Sequence, residues 1–138
     1  MIQPIMKAEF FLAIPSAPAT PLDAQVAQDL LDTLAAHKHE CVGMAANMIG
    51  VSKRVIVFED EATGKHEIMY NPEIIERSGE FDVMEGCLSL VGKRPAKRYE
   101  HITVRFQDLR FKERTAKYSG WTAQIIQHEV DHLDGIII

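Results

Sequence analysis

Apolar residues recur with helical spacing in one N-terminal segment of this 138-residue chain. The apolar positions that repeat every fourth residue are Leu22, Val26, Leu30 and Leu34. Such spacing places side chains on one face of an α-helix. Thr20 and Pro21 precede this run, and both residue types are typical of a helix N-terminus. The pattern therefore predicts a helix from about Thr20 to His37.

Short runs of β-branched and alternating apolar residues predict strands farther along the chain. These strands cover residues 54–58, 66–70, 102–106 and 114–118. The segment Ala-Thr-Gly at 62–64 predicts a hairpin between the first two, and Ser119 is a candidate N-cap for a last helix. The elements indicate an α+β fold, with antiparallel sheets packed around a C-terminal helix and a further N-terminal helix. The length predicts one domain, residues 1–138.

Composition is that of a globular domain, with 46% hydrophobic and 25% charged residues. The net charge of −5 argues against a nucleic-acid partner. Basic residues do gather in two short segments, which we interpret as solvated hairpin edges. They are Lys93, Arg94, Lys97 and Arg98, and then Arg110, Lys112, Arg114 and Lys117.

The sequence predicts a cytoplasmic protein with no membrane partner. The apolar run at residues 10–14 is too short and too poor in preceding basic residues for a signal peptide. No apolar run is long enough to span a bilayer. Two cysteines, Cys41 and Cys87, do not make the disulfide framework of a secreted domain, so we expect free thiols.

Residues 128–132 read H-E-x-x-H. On a helix, His128 and His132 project from one face, a turn apart, and two imidazoles so placed can hold a divalent metal. Glu129 between them can act as general base on a water molecule. The alternative is a pair of surface histidines on an amphipathic helix, since the same segment has an apolar side.

The third ligand of such a site is expected upstream. Zinc proteases with this motif take it from a later histidine or glutamate, but the six residues after His132 are Leu-Asp-Gly-Ile-Ile-Ile. Cys87 is the best candidate, because the preceding Gly86 allows close backbone approach to a site. A thiolate and two imidazoles leave the fourth metal position open for water.

Two segments resemble the motifs of peptide deformylases. Residues 85–89 read E-G-C-L-S, and residues 127–132 read Q-H-E-V-D-H, as in that family. The resemblance runs from the first helix to the end of the chain. The family's other motif, G-x-G-x-A-A-x-Q, is altered here to C-V-G-M-A-A-N-M at residues 41–48, so that Cys41 replaces a glycine and Met48 replaces the glutamine.

The resemblance implies a metallohydrolase that removes the formyl group from N-formylmethionyl peptides. Cys87, His128 and His132 would hold one divalent metal ion per chain, Fe²⁺ in the cell, with Zn²⁺ or Ni²⁺ able to substitute. Glu129 would move a proton from water to the leaving amine, and the backbone N–H of Leu88 would stabilise the oxyanion. Nascent chains would be the substrates, and a direct contact with the ribosome is left open.

The same resemblance assigns substrate contacts and one supporting ion pair. Val42 and Gly43 would offer backbone to an extended peptide. The pocket for the methionine side chain would consist of Val42, Trp121, Ile125 and His128. Plain core packing is the alternative for its apolar members. Arg98 would pair with Glu85 to brace the loop, the alternative being two independent surface charges.

Met48 is the departure with a chemical consequence. The family's glutamine donates a hydrogen bond to the oxyanion, whereas methionine has no donor. Loss of one such donor typically costs about 10²–10³ in rate. A second hypothesis is therefore a deformylase-like metal-binding protein with weak, altered or no activity, acting as a peptide-binding or regulatory module. Retention of Glu129 and three candidate ligands favours the enzyme. Cys41 is interpreted as a small buried residue without a redox or metal role.

Overall fold

A computed structural model describes residues 1–138. Its five strands form one antiparallel sheet in the order β1-β2-β3-β4-β5. The strands are β1 (Gly43–Ala45), β2 (Val55–Glu59), β3 (His66–Cys87), β4 (Leu90–Gln107) and β5 (Glu113–Ser119). The α-helices are α1 (Glu9–Leu12), α2 (Ala24–Ala36) and α3 (Gly120–Leu133), and none is long and apolar enough to cross a membrane. The predicted α+β fold class is confirmed.

Helix α2 begins at Ala24, later than predicted, because Thr20 caps a 3-10 turn at Pro21–Asp23 that precedes the helix, and its buried face also differs from the predicted one. The Thr20 hydroxyl accepts a hydrogen bond from Leu22 N at 3.2 Å, and the Asp23 carboxylate accepts one from Thr20 N at 2.8 Å. The buried residues are Ala27, Leu30, Thr33 and Leu34. Leu22 is 93% exposed, so its place in the apolar stripe was wrong. It lies in the capping turn before the regular helix, where the helical period does not apply.

All four predicted strands are present, but two of them are much longer than predicted. In the predicted hairpin of β2 and β3, Val55 lies opposite Tyr70. Strand β3 continues to Cys87 and β4 begins at Leu90, so a long hairpin carries the E-G-C-L-S segment at its tip. Residues 75–80 in the middle of β3 are all exposed, and nearer the tip the buried positions include the charged Glu85 and Arg98. The hairpin therefore lacks the alternation of apolar and polar residues by which a half-buried strand is recognised.

The basic residues of the hairpins are mostly exposed or half-buried, as interpreted from the sequence. Arg98 is the exception, since only 3% of it is exposed. It lies on the face of β4 that packs against α3, where it has carboxylate partners. Interpreting Arg98 as part of a solvated edge was therefore wrong, while the predicted ion pair with Glu85 explains its burial.

Helix α3 follows β5 without a loop. Ser119 occupies the N-cap position with extended backbone, but its side chain makes no capping hydrogen bond, so the predicted capping role was wrong. The chain turns at Gly120, whose φ of +61° lies in the left-handed region that glycine adopts most readily. Strand therefore passes directly into helix at this residue.

Side-chain amides fix α3 against its neighbours. Gln127 accepts a hydrogen bond from Tyr99 N and donates one to Tyr99 O, both at 2.8 Å, and so joins the helix to β4. Asn47 donates from Nδ2 to the carbonyl of His132 at 2.7 Å. These buried contacts fix the rotation of α3 about its axis, and the rotation decides where His128 faces.

Candidate metal centre

Three predicted ligands meet where the tip of the long hairpin approaches α3. Cys87 lies at the end of β3, and His128 and His132 lie one turn apart on α3. The candidate ligand atoms of the three side chains all lie within 4.8 Å of one another. Both histidines are buried and Cys87 is half-buried. Cys87 is 41 positions before His128 and 45 before His132 in the sequence, yet the three side chains form one cluster with the chemistry of a metal site.

The donor atoms of this cluster suit a divalent transition metal. The two Nε2 atoms lie 3.0 Å apart. Two imidazole nitrogens on one tetrahedral Zn²⁺ would be separated by about 3.4 Å, so a small opening would admit the ion. One thiolate and two imidazoles suit iron, zinc and nickel alike. The donor set therefore fits a metal ion without selecting among these three.

Glu85 orients the first histidine of the cluster. Its carboxylate accepts a hydrogen bond from His128 Nδ1 at 2.8 Å, from Arg98 NH2 at 2.7 Å and from Gln124 Nε2 at 2.9 Å. Burial alone would raise the pKa of Glu85, but the hydrogen bonds from His128 and Arg98 lower it to about 2. A permanent carboxylate thus holds the hydrogen on Nδ1 and leaves Nε2 free for a metal.

Arg98 joins the hairpin to α3. Its guanidinium binds Glu85 through Nε and NH2, which confirms the predicted pair, and NH1 binds Asp131 Oδ2 at 2.7 Å. Gln124 and Asp131 were not predicted as supporting residues. Asp131 lies inside the H-E-x-x-H motif and Gln124 lies one helical turn before it, and that spacing is the only sequence feature that could have indicated their roles.

The two histidines differ in protonation. Burial lowers the pKa of His132 to about 3, with the neighbouring His128 charge as the second cause. Burial would also lower the pKa of His128, but its contacts with Cys87 and Glu85 raise it to about 10. Without a metal, His128 therefore carries a proton that Nε2 must release when it becomes a ligand.

Glu129 lies beside the ligands in a buried position. Burial is the main cause that raises the pKa of this carboxyl to about 7, close to the value that suits a general base at neutral pH. Its Oε1 atom has no hydrogen-bond partner. Gly43 makes room for this group, because a Cβ atom there would lie 2.9 Å from Glu129 Oε2 and 2.7 Å from Ile125 Cγ2.

A cleft of about 840 Å³ opens over this cluster. Of the ten residues predicted at the site, only the fully buried His132 does not line the cleft. The nine that do are Val42, Gly43, Met48, Cys87, Leu88, Trp121, Ile125, His128 and Glu129. Trp121 is 48% exposed, so it forms part of the mouth of the cleft and is not a core residue. Ile125 is buried and contributes to both core and cleft.

The altered motif places Met48 against the cleft. Residues Ala46–Ile49 form a 3-10 turn after β1, and only 1% of Met48 is exposed. Its sulfur accepts a hydrogen bond from Ala45 N at 3.4 Å, which a thioether can do only weakly. The side chain therefore offers no donor to a substrate oxygen in the cleft.

Cys41 lines the same cleft in a protonated state. Its thiol donates a hydrogen bond to Gly43 O at 2.8 Å. Burial is the largest cause that raises the pKa of Cys41 to about 12, with the Glu129 charge as the second. A thiol that stays protonated is a poor metal ligand and a poor nucleophile, in keeping with an inert role.

We expect Arg98→Leu to destabilise the protein by about 3–5 kcal/mol, because the buried Glu85 and the half-buried Asp131 would lose their cationic partner. Arg105→Leu is the matched control. Arg105 is on the same strand and pairs with Glu73 at 2.9 Å, but its side chain is 45% exposed. Losses below about 1 kcal/mol are typical for such a pair. Equal losses for the two variants in urea unfolding would contradict the supporting role of Arg98.

The comparisons with known proteins agree on one family. The model of the family described as polypeptide deformylase matches residues 5–138. A curated peptide deformylase of Clostridium beijerinckii is 48% identical over 139 residues, covering 100% of this chain and 100% of that protein. One from a Wolbachia of Brugia malayi is 42% identical, covering 82% of this chain and 69% of that protein.

Solved structures show the same fold. Class I type b peptide deformylase from Acinetobacter baumannii, in its Met-Ala-Ser-bound crystal structure, superposes with a TM-score of 0.86 at 30% identity, covering 99% of this chain and 97% of that chain. Peptide deformylase from Thermus thermophilus gives a TM-score of 0.86 at 32% identity, covering 99% and 83%. The buried ligand cluster, the matching family model and the full-length relative together place this chain in the polypeptide deformylase family.

Proposed function

We propose that this chain removes the formyl group from N-formylmethionyl peptides as a metal-dependent hydrolase. The observation that carries the proposal is the meeting of Cys87, His128 and His132 beside the buried Glu129 in one cleft. Full-length likeness to curated peptide deformylases supports the same reaction. A solved relative is Met-Ala-Ser bound, and that peptide is what deformylation of formyl-Met-Ala-Ser would leave.

The three ligands would hold one metal ion, and we propose Fe²⁺ in the cell, with Zn²⁺ and Ni²⁺ as substitutes. When bound, the ion supplies Lewis acidity, which polarises the formyl carbonyl and makes a water molecule easier to deprotonate. The Cys87 thiolate would make the site sensitive to oxidation. Glu85 would hold His128 in the tautomer that keeps Nε2 available.

Glu129 is the proposed proton carrier. Its carboxylate would take a proton from water as the formyl carbon is attacked, and would then give that proton to the leaving amine. The backbone N–H of Leu88 would donate to the developing oxyanion. With no side-chain donor at Met48, this N–H would bear more of that stabilisation than in relatives that have glutamine there.

The substrate would lie along the edge of the sheet. Strand β1 pairs with β2 on one side only, so its other edge is free to receive an extended peptide beside Val42 and Gly43. The methionine side chain would pack against Val42, Ile125 and Trp121, which line the cleft. Nascent chains in the cytoplasm are the proposed source of substrate.

The alternative hypothesis of a binding or regulatory module depends on Met48 alone. No other feature of the site favours it, since the general base and all three candidate ligands are retained and meet in one cleft. Loss of one oxyanion donor lowers a rate by about 10²–10³ without abolishing catalysis. The enzyme is therefore the function that the site supports best.

The reaction can be tested on anaerobically purified, iron-loaded protein with formyl-Met-Ala-Ser, by following the release of free amine. We expect turnover, and a loss of about 10²–10⁴ in kcat/KM for Glu129→Gln, because the amide cannot accept the proton. Glu113→Gln, at an exposed position on β5, should keep full activity. Absence of amine release above the metal-free control would sink the proposed function.

Met48→Gln tests the oxyanion argument. We expect kcat to rise, because the new amide can donate to the oxyanion, with an upper limit of about 10²–10³ set by the value of one donor. Met48→Leu keeps an apolar side chain of similar size and has no donor, so it should give no gain. A rate for Met48→Gln at or below that of Met48→Leu would count against the argument.

A further inference from the structure

The cleft over the metal cluster has a buried end and an exposed end. His128 and Glu129 form the buried end. The exposed end is formed by Trp121 and by residues from two walls, with Lys38, His39 and Glu40 on one and Met84, Gly86 and Lys93 on the other. A peptide whose formyl group reaches the buried end must leave through this exposed end. Side chains after the methionine would therefore pass between Lys38 and Lys93.

Lys93 is held close to the metal cluster by the hairpin. It pairs with Gly86 across β3 and β4, and Gly86 is the residue before Cys87. A Cβ atom on Gly86 would lie 3.7 Å from Lys93 Cγ, so the lysine stem runs across this glycine. The register and the missing side chain thus fix the base of Lys93 beside the path of the peptide.

The cationic charges at this exit are not neutralised within the chain. Lys53 and Lys97 form ion pairs with carboxylates, but neither Lys38 nor Lys93 does. Glu40 is the single exposed acid that lines the cleft, so two lysines face one carboxylate there, and that carboxylate lies 3.3 Å from His37 Nδ1. The exit therefore presents two free ammonium groups in a chain whose net charge is −5.

We propose that Lys38 and Lys93 select formylmethionyl peptides that carry a carboxylate on the second or third residue of the peptide. An extended peptide advances about 3.3 Å per residue, so the second and third residues lie outside the buried end and between the two walls. A glutamate or aspartate there would meet the ammonium groups of two exposed lysines. The inference rests on the proposed deformylase function and adds a preference beyond the methionine pocket.

The test compares kcat/KM for amidated peptides that differ in one charge: formyl-Met-Ala-Glu-amide against formyl-Met-Ala-Gln-amide, and formyl-Met-Glu-Ser-amide against formyl-Met-Gln-Ser-amide. We expect the acidic member of at least one pair to be favoured about threefold at low salt, mainly through KM, as for an exposed ion pair. High salt should remove the preference, because screening weakens such contacts.

Charge reversal assigns the preference to the two lysines. The double variant Lys38→Glu with Lys93→Glu should favour the glutamine peptides. The control is Lys65→Glu with Lys112→Glu, which changes the net charge equally at exposed lysines that lie outside the cleft and form no ion pair. Equal kcat/KM within both pairs for the unmutated protein, or a preference that survives reversal at Lys38 and Lys93, would overturn the proposal.

Binding of the reaction products separates this inference from the deformylase proposal. Titration calorimetry with two pairs of product peptides, Met-Ala-Glu-amide with Met-Ala-Gln-amide and Met-Glu-Ser-amide with Met-Gln-Ser-amide, measures charge selection without turnover. Tighter binding of the acidic peptide, lost in the Lys38→Glu, Lys93→Glu protein, would support the selection even if no amine were released from formyl peptides. Indistinguishable affinities for the two pairs of product peptides would contradict it.

Discussion

A carboxylate held between an arginine and a histidine connects the two halves of the site. Glu85 comes from the long hairpin, and its partners Arg98 and His128 come from β4 and α3. Each of the three would be costly to bury alone, and together they satisfy one another's hydrogen bonds. Because Cys87 follows Glu85 by two residues, this cluster of charges also decides how near the thiol lies to the histidines.

The remaining contacts give the site its orientation. Gln127 fixes α3 to β4, and Asn47 holds the end of the same helix. Gly43 lets β1 approach Glu129 closely enough to line the cleft. The proposed general base, the candidate ligands and the strand edge are therefore placed by separate elements that converge on one helix. In the proposed function, this convergence lets the strand edge present a peptide to the candidate ligands.

Much of this arrangement could be predicted from local sequence patterns, whereas the contacts between distant segments could not. The spacing of His128 and His132 predicts their shared face, and the glycine before Cys87 in E-G-C-L-S indicates that cysteine as a candidate ligand. The length of the β3–β4 hairpin was missed, because residues 75–80 are all exposed and the buried positions nearer its tip include charged residues. The burial of Arg98 and the contact with Asp131 depend on how a strand packs against a helix. No local spacing encodes that packing.

The central claim is that Cys87, His128 and His132 form one metal site. The most direct measurement is the metal content per chain of two matched variants, Cys87→Ser and Cys41→Ser, purified without oxygen and loaded with iron. The two thiols line the same cleft. The account predicts one tightly bound metal for Cys41→Ser and loss of stoichiometric binding for Cys87→Ser. Retention of one tight metal by Cys87→Ser would contradict it.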